Sequence, residues 1–172
     1  MSYIDTSVIV AALDPLDHRQ GLALKYLEER KDKKVSELSL VELSSVLAKK
    51  ENLLLEIFEK VGLRRELMIP ATILYLMRRF ELSYKKADGF IKLPGLGELY
   101  LPSSLAINMA HTFKLKTLDL FHLAYVKSLI EQGEDIDELA TIDEDFKREA
   151  NIVKQKLNVE IKFLTSKERE AE

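Results

Sequence analysis

Short apolar runs alternate with helix-like stretches along the chain. Tyr3 and Ile4 form the first run, which breaks at Asp5 and leads directly into an apolar helical stretch at residues 8–13. Such alternation predicts a parallel α/β sheet with helices on both faces, in three α/β/α layers. Further runs with strand character cover residues 35–38, 98–101, 139–142 and 159–164.

Helical periodicity fills most of the remaining chain. Residues 51–80 predict helix throughout, and Pro70 divides them into two helices of about a dozen residues each. Ser39 begins the helix before them, since Ser is a favourable N-cap residue. The patterns together predict one domain at 1–165, with an extra helical insertion at 52–97 and a charged tail at 166–172.

Composition narrows the function classes. The chain has 172 residues, a formal net charge of -3, three His and no Cys. The lack of Cys excludes disulfides, thiolate zinc sites and a cysteine nucleophile, and three His argue against a histidine-rich zinc site. The chain shows no signal-peptide pattern and no apolar run that could span a bilayer. We therefore expect a cytoplasmic protein without membrane contact.

Four carboxylates follow one rule of position, because each ends a predicted strand or lies at the start of the next helix. Parallel strands place their carboxyl ends at one sheet edge, so we expect the four to lie close together. Like charges at short distance ionise only at a cost, which a hard divalent cation removes. Mg²⁺ and Mn²⁺ prefer oxygen ligands and activate water for attack on a phosphodiester. The four residues are Asp5, Glu42, Asp119 and Asp143.

Three of these acids also have a purely structural interpretation. Glu42 completes a capping box that begins at Ser39. The helix dipole favours Asp119 in a first helical turn, and Asp143 suits a turn between a strand and a helix. Asp5 is the hardest to explain without a partner, because a charged residue at the end of a buried strand is rarely left alone.

Four short motifs surround these acids in order along the chain. They resemble those of the PIN-domain ribonucleases, most closely the VapC-type toxins of prokaryotic toxin–antitoxin pairs, and the resemblance spans nearly the whole chain. The motifs are Ile4-Asp5-Thr6-Ser7-Val8, Leu40-Val41-Glu42-Leu43, Leu118-Asp119-Leu120-Phe121-His122-Leu123-Ala124 and Thr141-Ile142-Asp143-Glu144-Asp145-Phe146.

This resemblance implies a PIN-like fold with a roughly five-stranded parallel sheet, and cleavage of RNA that depends on Mg²⁺ or Mn²⁺. It gives the four acids the catalytic and metal-ligating roles, with Asp145 as an auxiliary ligand. The hydroxyls of Thr6, Ser7 and Thr141 would orient ligands or waters. The resemblance also implies a protein antitoxin and a second copy of the chain, in a homodimer, as partners.

Residues 52–97 depart from the resemblance, because compact toxins of this type do not need so long a segment. Its apolar helices could pack on the core or bind a partner. Two other functions therefore stay open. One is an RNA-processing nuclease outside a toxin system, and the other is a non-catalytic PIN-like scaffold that binds RNA or protein.

Some residues near these motifs have two interpretations. His122 lies one helical turn after Asp119, where it could contact an acid or lie at the edge of the core without a chemical role. Tyr75 and Tyr84 could stack on bases or belong to the core. Several basic pairs could contact phosphates, although solvated helix faces are the more ordinary explanation. They are Lys49-Lys50, Arg64-Arg65, Arg78-Arg79 and Lys85-Lys86.

Overall fold

A five-stranded parallel sheet forms the centre of the molecule. The structure, a computed structural model, describes residues 1–50, 62 and 64–165. The sheet strands are β1 (Ser2–Ile4), β2 (Lys33–Val35), β3 (Leu82–Tyr84), β6 (Glu138–Thr141) and β7 (Glu160–Phe163). Their order is β3-β2-β1-β6-β7, so the first strand of the chain is the central one. Tyr3 is in register with Lys34 on one side and Leu139 on the other.

Helices cover both faces of this sheet. One face carries α1 (Thr6–Leu13), α2 (Gln20–Glu29), α3 (Glu37–Lys49) and α4 (Arg65–Arg79). The opposite face carries α5 (Leu101–Met109), α6 (Thr117–Glu131) and α7 (Glu144–Leu157). Because neighbouring strand residues point to opposite faces, Ile4 belongs to the first core and Tyr3 to the second. The predicted three-layer fold with five parallel strands is confirmed.

None of the helices in the described part of the chain has the length and apolar character that crossing a membrane requires.

The third strand of the sheet lies at a different place from the one the pattern predicts. Residues 98–101 suggest a strand, and β5 (Gly97–Tyr100) is extended, but it pairs antiparallel with β4 (Phe90–Leu93) in a separate hairpin. The sheet strand of this region is β3, which pairs with β2 at the edge. Only Leu82 of its three residues is buried, so β3 lacks the apolar run by which β1 is recognised. The segment 52–97 is therefore not wholly helical, since it holds β3 and β4 as well as α4.

The prediction that Pro70 divides two helices is wrong. Pro70 lies inside α4. The proline removes one backbone N–H from the helical ladder, which costs stability. Met68 and Leu76 are buried on either side of it, and their packing holds the helix to the core. The predicted helix built on apolar residues 53–58 lies outside the described residues, as does the tail at 166–172.

Helix α3 begins earlier than predicted. Ser36 is its N-cap, and the Ser36 side chain accepts a hydrogen bond from the Ser39 backbone N–H at 3.4 Å. Strand β2 correspondingly ends at Val35 and does not continue to residue 38. Glu42 therefore lies in the second turn of α3, and the capping box between Ser39 and Glu42 does not form.

Candidate metal centre

A cleft of about 560 Å³ opens at the carboxyl edge of the sheet, where β1 and β6 end. Residues of α1, α3 and α6 form its walls. None of the described residues between 64 and 97 lines it, so the described part of the predicted insertion does not contribute to the cleft. All four predicted acids line it, namely Asp5, Glu42, Asp119 and Asp143.

Asp5 joins the central strand to α1, and it is the N-cap of that helix. The residue is 4% exposed, and its backbone N–H donates to the Ala140 carbonyl at 3.0 Å. Its Oδ2 accepts hydrogen bonds from Ser7 Oγ at 2.5 Å and from Thr141 Oγ1 at 2.6 Å. Its Oδ1 lies 3.4 Å from His122 Nε2. A buried carboxylate needs such donors, and here they fix its orientation toward the cleft.

Glu42 reaches the cleft from α3. Its Oε2 accepts a hydrogen bond from Thr6 Oγ1 at 2.6 Å and lies 2.7 Å from His122 Nε2. Burial acts to raise the pKa of Glu42, but the hydrogen bond and charge of His122 and the hydrogen bond from Thr6 hold that pKa below its ordinary value. Glu42 is therefore an ionised carboxylate with a fixed direction, and its role as a helix cap is excluded.

His122 lies between this cleft and the buried core, and its predicted contact with an acid is present. The ring is 1% exposed, and its Nδ1 lies 2.8 Å from the Tyr3 hydroxyl, which is 2.7 Å from Ser36 Oγ. Burial alone would lower the pKa of His122, but the hydrogen bond and charge of Glu42 and the charge of Asp5 raise it well above the ordinary value. Glu42 is 80 positions away in the chain, so no local pattern signals this contact.

Asp119 lies in the first turn of α6, as predicted, and is 9% exposed. Its buried Oδ2 has no hydrogen-bond partner within the described residues. Burial and the negative charges of Asp143 and Asp5 raise the pKa of Asp119 to about 6. A buried carboxylate oxygen without a donor is costly, and a cation would remove that cost.

Asp143 is the N-cap of α7 and also lines the cleft, so it has the predicted structural role and the predicted position at the site. Its backbone N–H donates to Thr141 Oγ1 at 3.0 Å, and its Oδ1 accepts from the Asp145 backbone N–H at 2.8 Å. The Asp145 side chain is ion-paired, with Oδ2 at 2.8 Å from Lys116 Nζ and Oδ1 paired with Arg148. Both oxygens of the predicted auxiliary ligand are thus already engaged.

The ligand atoms at this edge form two groups. Within each group they lie within 4.8 Å of one another. Carboxylate oxygens suit Mg²⁺ and Mn²⁺, and the unpartnered Asp119 oxygen supports the fit of a divalent cation. The groups are Asp5–Glu42–His122 and Asp119–Asp143–Asp145.

The predicted basic pairs and tyrosines contribute no described residue to the lining of the cleft. Several of their lysines and arginines form ion pairs elsewhere, for example Arg79 with Glu28 and Lys85 with Glu134. The side chains of Tyr75 and Tyr84 are exposed but also lie outside the cleft lining. Solvated surface positions therefore describe the basic pairs better, and the interpretation of Tyr75 and Tyr84 as core residues is wrong.

Comparisons with known proteins agree with this architecture. Residues 2–151 match the model of the PIN domain family. One solved structure with a similar fold is the crystal structure of VapBC2 from Rickettsia felis bound to a DNA fragment from their promoter. The likeness covers 96% of this chain and 100% of that chain, with a TM-score of 0.53 and 16% sequence identity. No curated protein sequence matches significantly. Because the family match covers most of the chain and includes the cleft, the chain belongs to the PIN domain family.

Proposed function

We propose that this protein is an endoribonuclease that depends on Mg²⁺ or Mn²⁺ and hydrolyses RNA phosphodiesters. One observation carries the proposal: Asp5, Glu42, Asp119 and Asp143 line a single cleft at the carboxyl edge of a PIN-domain sheet. Ligands bind at this edge in open α/β sheets. Four carboxylates in one cleft repel each other, and a bound cation would remove that repulsion.

The side chains around the acids would keep the site in order. Ser7 and Thr141 fix Asp5, whereas Thr6 and His122 fix Glu42. These four acids would hold the cation or cations, and among the described residues no donor has to be displaced from the buried Asp119 oxygen. A bound divalent cation would lower the pKa of attacking water and neutralise negative charge that develops on the phosphate.

A direct test compares cleavage of single-stranded RNA and of DNA with the same sequence, in Mg²⁺, in Mn²⁺ and with a chelator. We expect cleavage of RNA that needs the cation and falls by roughly 10²-fold or more in Asp5→Asn. Asp88→Asn is a matched control, because Asp88 is an exposed acid outside the cleft lining. Equal cleavage by wild type and Asp5→Asn would contradict the proposal. RNA binding without Mn²⁺ binding in calorimetry would favour a non-catalytic scaffold.

We further propose that the protein is a cytoplasmic toxin whose partners are a protein antitoxin and a second copy of the chain. The four toxin-like motifs and the fold shared with VapBC2 support this assignment. Expression of wild type in bacteria should arrest growth, Asp5→Asn should not, and a small protein encoded next to the gene should relieve the arrest. RNA cleavage without any growth effect would favour an RNA-processing nuclease instead.

A further inference from the structure

Lys116 stands out among the residues of the cleft. It is the only lysine or arginine in the described part of the cleft lining, where it faces four acids. Its side chain is 73% exposed, so a ligand in the cleft could reach it. The Lys116 ammonium lies beside the group of three aspartates, because it pairs with Asp145, a member of that group.

Asp145 holds this lysine in place. The Lys116 ammonium lies 2.8 Å from Asp145 Oδ2, while Arg148 pairs with the other oxygen of the same carboxylate. Asp145 is 8% exposed, and its carboxylate directs the otherwise exposed Lys116 side chain. Arg148 already neutralises Asp145, and therefore Lys116 is not needed for that purpose.

Helix stability does not explain a lysine at this position. Lys116 is the N-cap of α6 and makes no side-chain capping hydrogen bond. The positive end of the helix dipole lies there and disfavours a cation, whereas Ser, Thr, Asp or Asn would be favourable. An ion pair with so exposed a lysine also adds little stability. A lysine at this position therefore lowers the stability of the helix start, and a role in function would explain its presence.

An ammonium group has three hydrogen-bond donors, and the contact with Asp145 uses one of them. An RNA strand brings negative phosphates toward four carboxylates, so a fixed positive charge beside the acids would reduce their repulsion. We propose that Lys116 donates to a phosphate oxygen of the bound RNA strand and that Asp145 is its positioning residue. This inference rests on the proposed nuclease function. It assigns to Lys116 a contact with the RNA phosphate that is made by the protein and not by the metal ion.

The test compares Lys116→Gln with Lys116→Arg, which keeps the charge. Lys147→Gln is a matched control, because Lys147 is an exposed lysine that pairs with Glu144 outside the cleft lining. Cleavage is followed in Mn²⁺. Binding of a fluorescent single-stranded RNA is followed across salt concentrations, with Ca²⁺ in place of the activating ion. Mn²⁺ affinity is measured by calorimetry.

We expect Lys116→Gln to lower kcat/KM by roughly 10- to 10²-fold and to leave Mn²⁺ affinity unchanged or higher. The slope of log affinity against log salt should become shallower by about 0.7, the value for one lost phosphate contact on a single strand. Lys116→Arg should restore most activity, and Lys147→Gln should match wild type. Asp145→Asn should give a smaller loss of cleavage with unchanged Mn²⁺ affinity.

The inference would be overturned if Lys116→Gln cleaved RNA as fast as wild type and its RNA binding had the wild-type salt slope. A large loss of Mn²⁺ affinity in Asp145→Asn would also overturn it, because Asp145 would then be a ligand and not a positioning residue. If wild type cleaves no RNA at all, the proposed function has failed. The salt slope of RNA binding then still decides whether Lys116 contacts phosphate.

Discussion

His122 Nε2 lies 2.7 Å from Glu42 Oε2, and this contact couples the acid cleft to the buried Tyr3 hydroxyl. Residues behind metal ligands commonly raise metal affinity by 10- to 100-fold. We therefore expect His122→Gln to weaken Mn²⁺ binding by roughly 10-fold or more in calorimetry. Tyr3→Phe should have a smaller effect in the same direction, because it removes only the hydroxyl that contacts Nδ1.

His111→Gln is the control for this prediction, since His111 is exposed and lies outside the cleft lining. Unchanged Mn²⁺ affinity in His122→Gln, in a variant that remains folded, would show that the histidine serves only the core.

Asp119 should make the metal-free protein less stable at neutral pH. Its folded pKa of about 6 lies above the ordinary 3.8, so folding favours the protonated acid. The protonated carboxyl therefore contributes its full share to the free energy of unfolding below about pH 4. That contribution falls as the pH rises to about 6 and is absent above it. Asp119→Asn avoids the loss, so with chelator at pH 7 we expect it to be more stable by about 1–3 kcal/mol.

Urea unfolding of wild type and Asp119→Asn at pH 4 and pH 7, with a chelator present, measures this difference. The advantage of the variant should shrink toward zero at pH 4. If Asp119→Asn is the less stable protein at pH 7, the carboxyl is not destabilised by its surroundings as described.

Thr141 should contribute to both stability and activity through one hydroxyl. Its Oγ1 donates to Asp5 Oδ2 and accepts from the Asp143 backbone N–H, so it joins two of the four acids. Thr141→Val leaves both groups without this partner, and we expect a loss of about 1–3 kcal/mol in the free energy of unfolding together with slower RNA cleavage. Thr141→Ser keeps the hydroxyl and should lie close to wild type. Equal stability of the Val and Ser variants would contradict this role.

The sequence predicts those parts of the fold and site that follow from local patterns. Asp5 could be recognised because it ends a buried apolar run, and Asp119 and Asp143 because they lie at the junctions that the strand and helix patterns define. Strand β3 escapes such recognition because only Leu82 of its three residues is buried, and Pro70 misleads because core packing outweighs a local helix-breaking preference.

Side-chain partners were harder to predict than positions. Ser36 and Ser39 are both plausible caps, and only the end of β2 at Val35 decides for Ser36. The contact of His122 with Glu42 and the pairing of Asp145 with Lys116 join elements that are distant in sequence or separated by a strand. Such contacts depend on tertiary packing, which residue spacing within one element does not encode.

Anomalous scattering from crystals grown with Mn²⁺ tests the central claim most directly. We expect a strong peak inside the cleft, at coordination distance from carboxylate oxygens of the set Asp5, Glu42, Asp119 and Asp143, and we expect that peak to weaken or vanish in Asp5→Asn crystals. A cleft without a peak at millimolar Mn²⁺, or a peak unaffected by Asp5→Asn, would contradict a metal centre built on these acids.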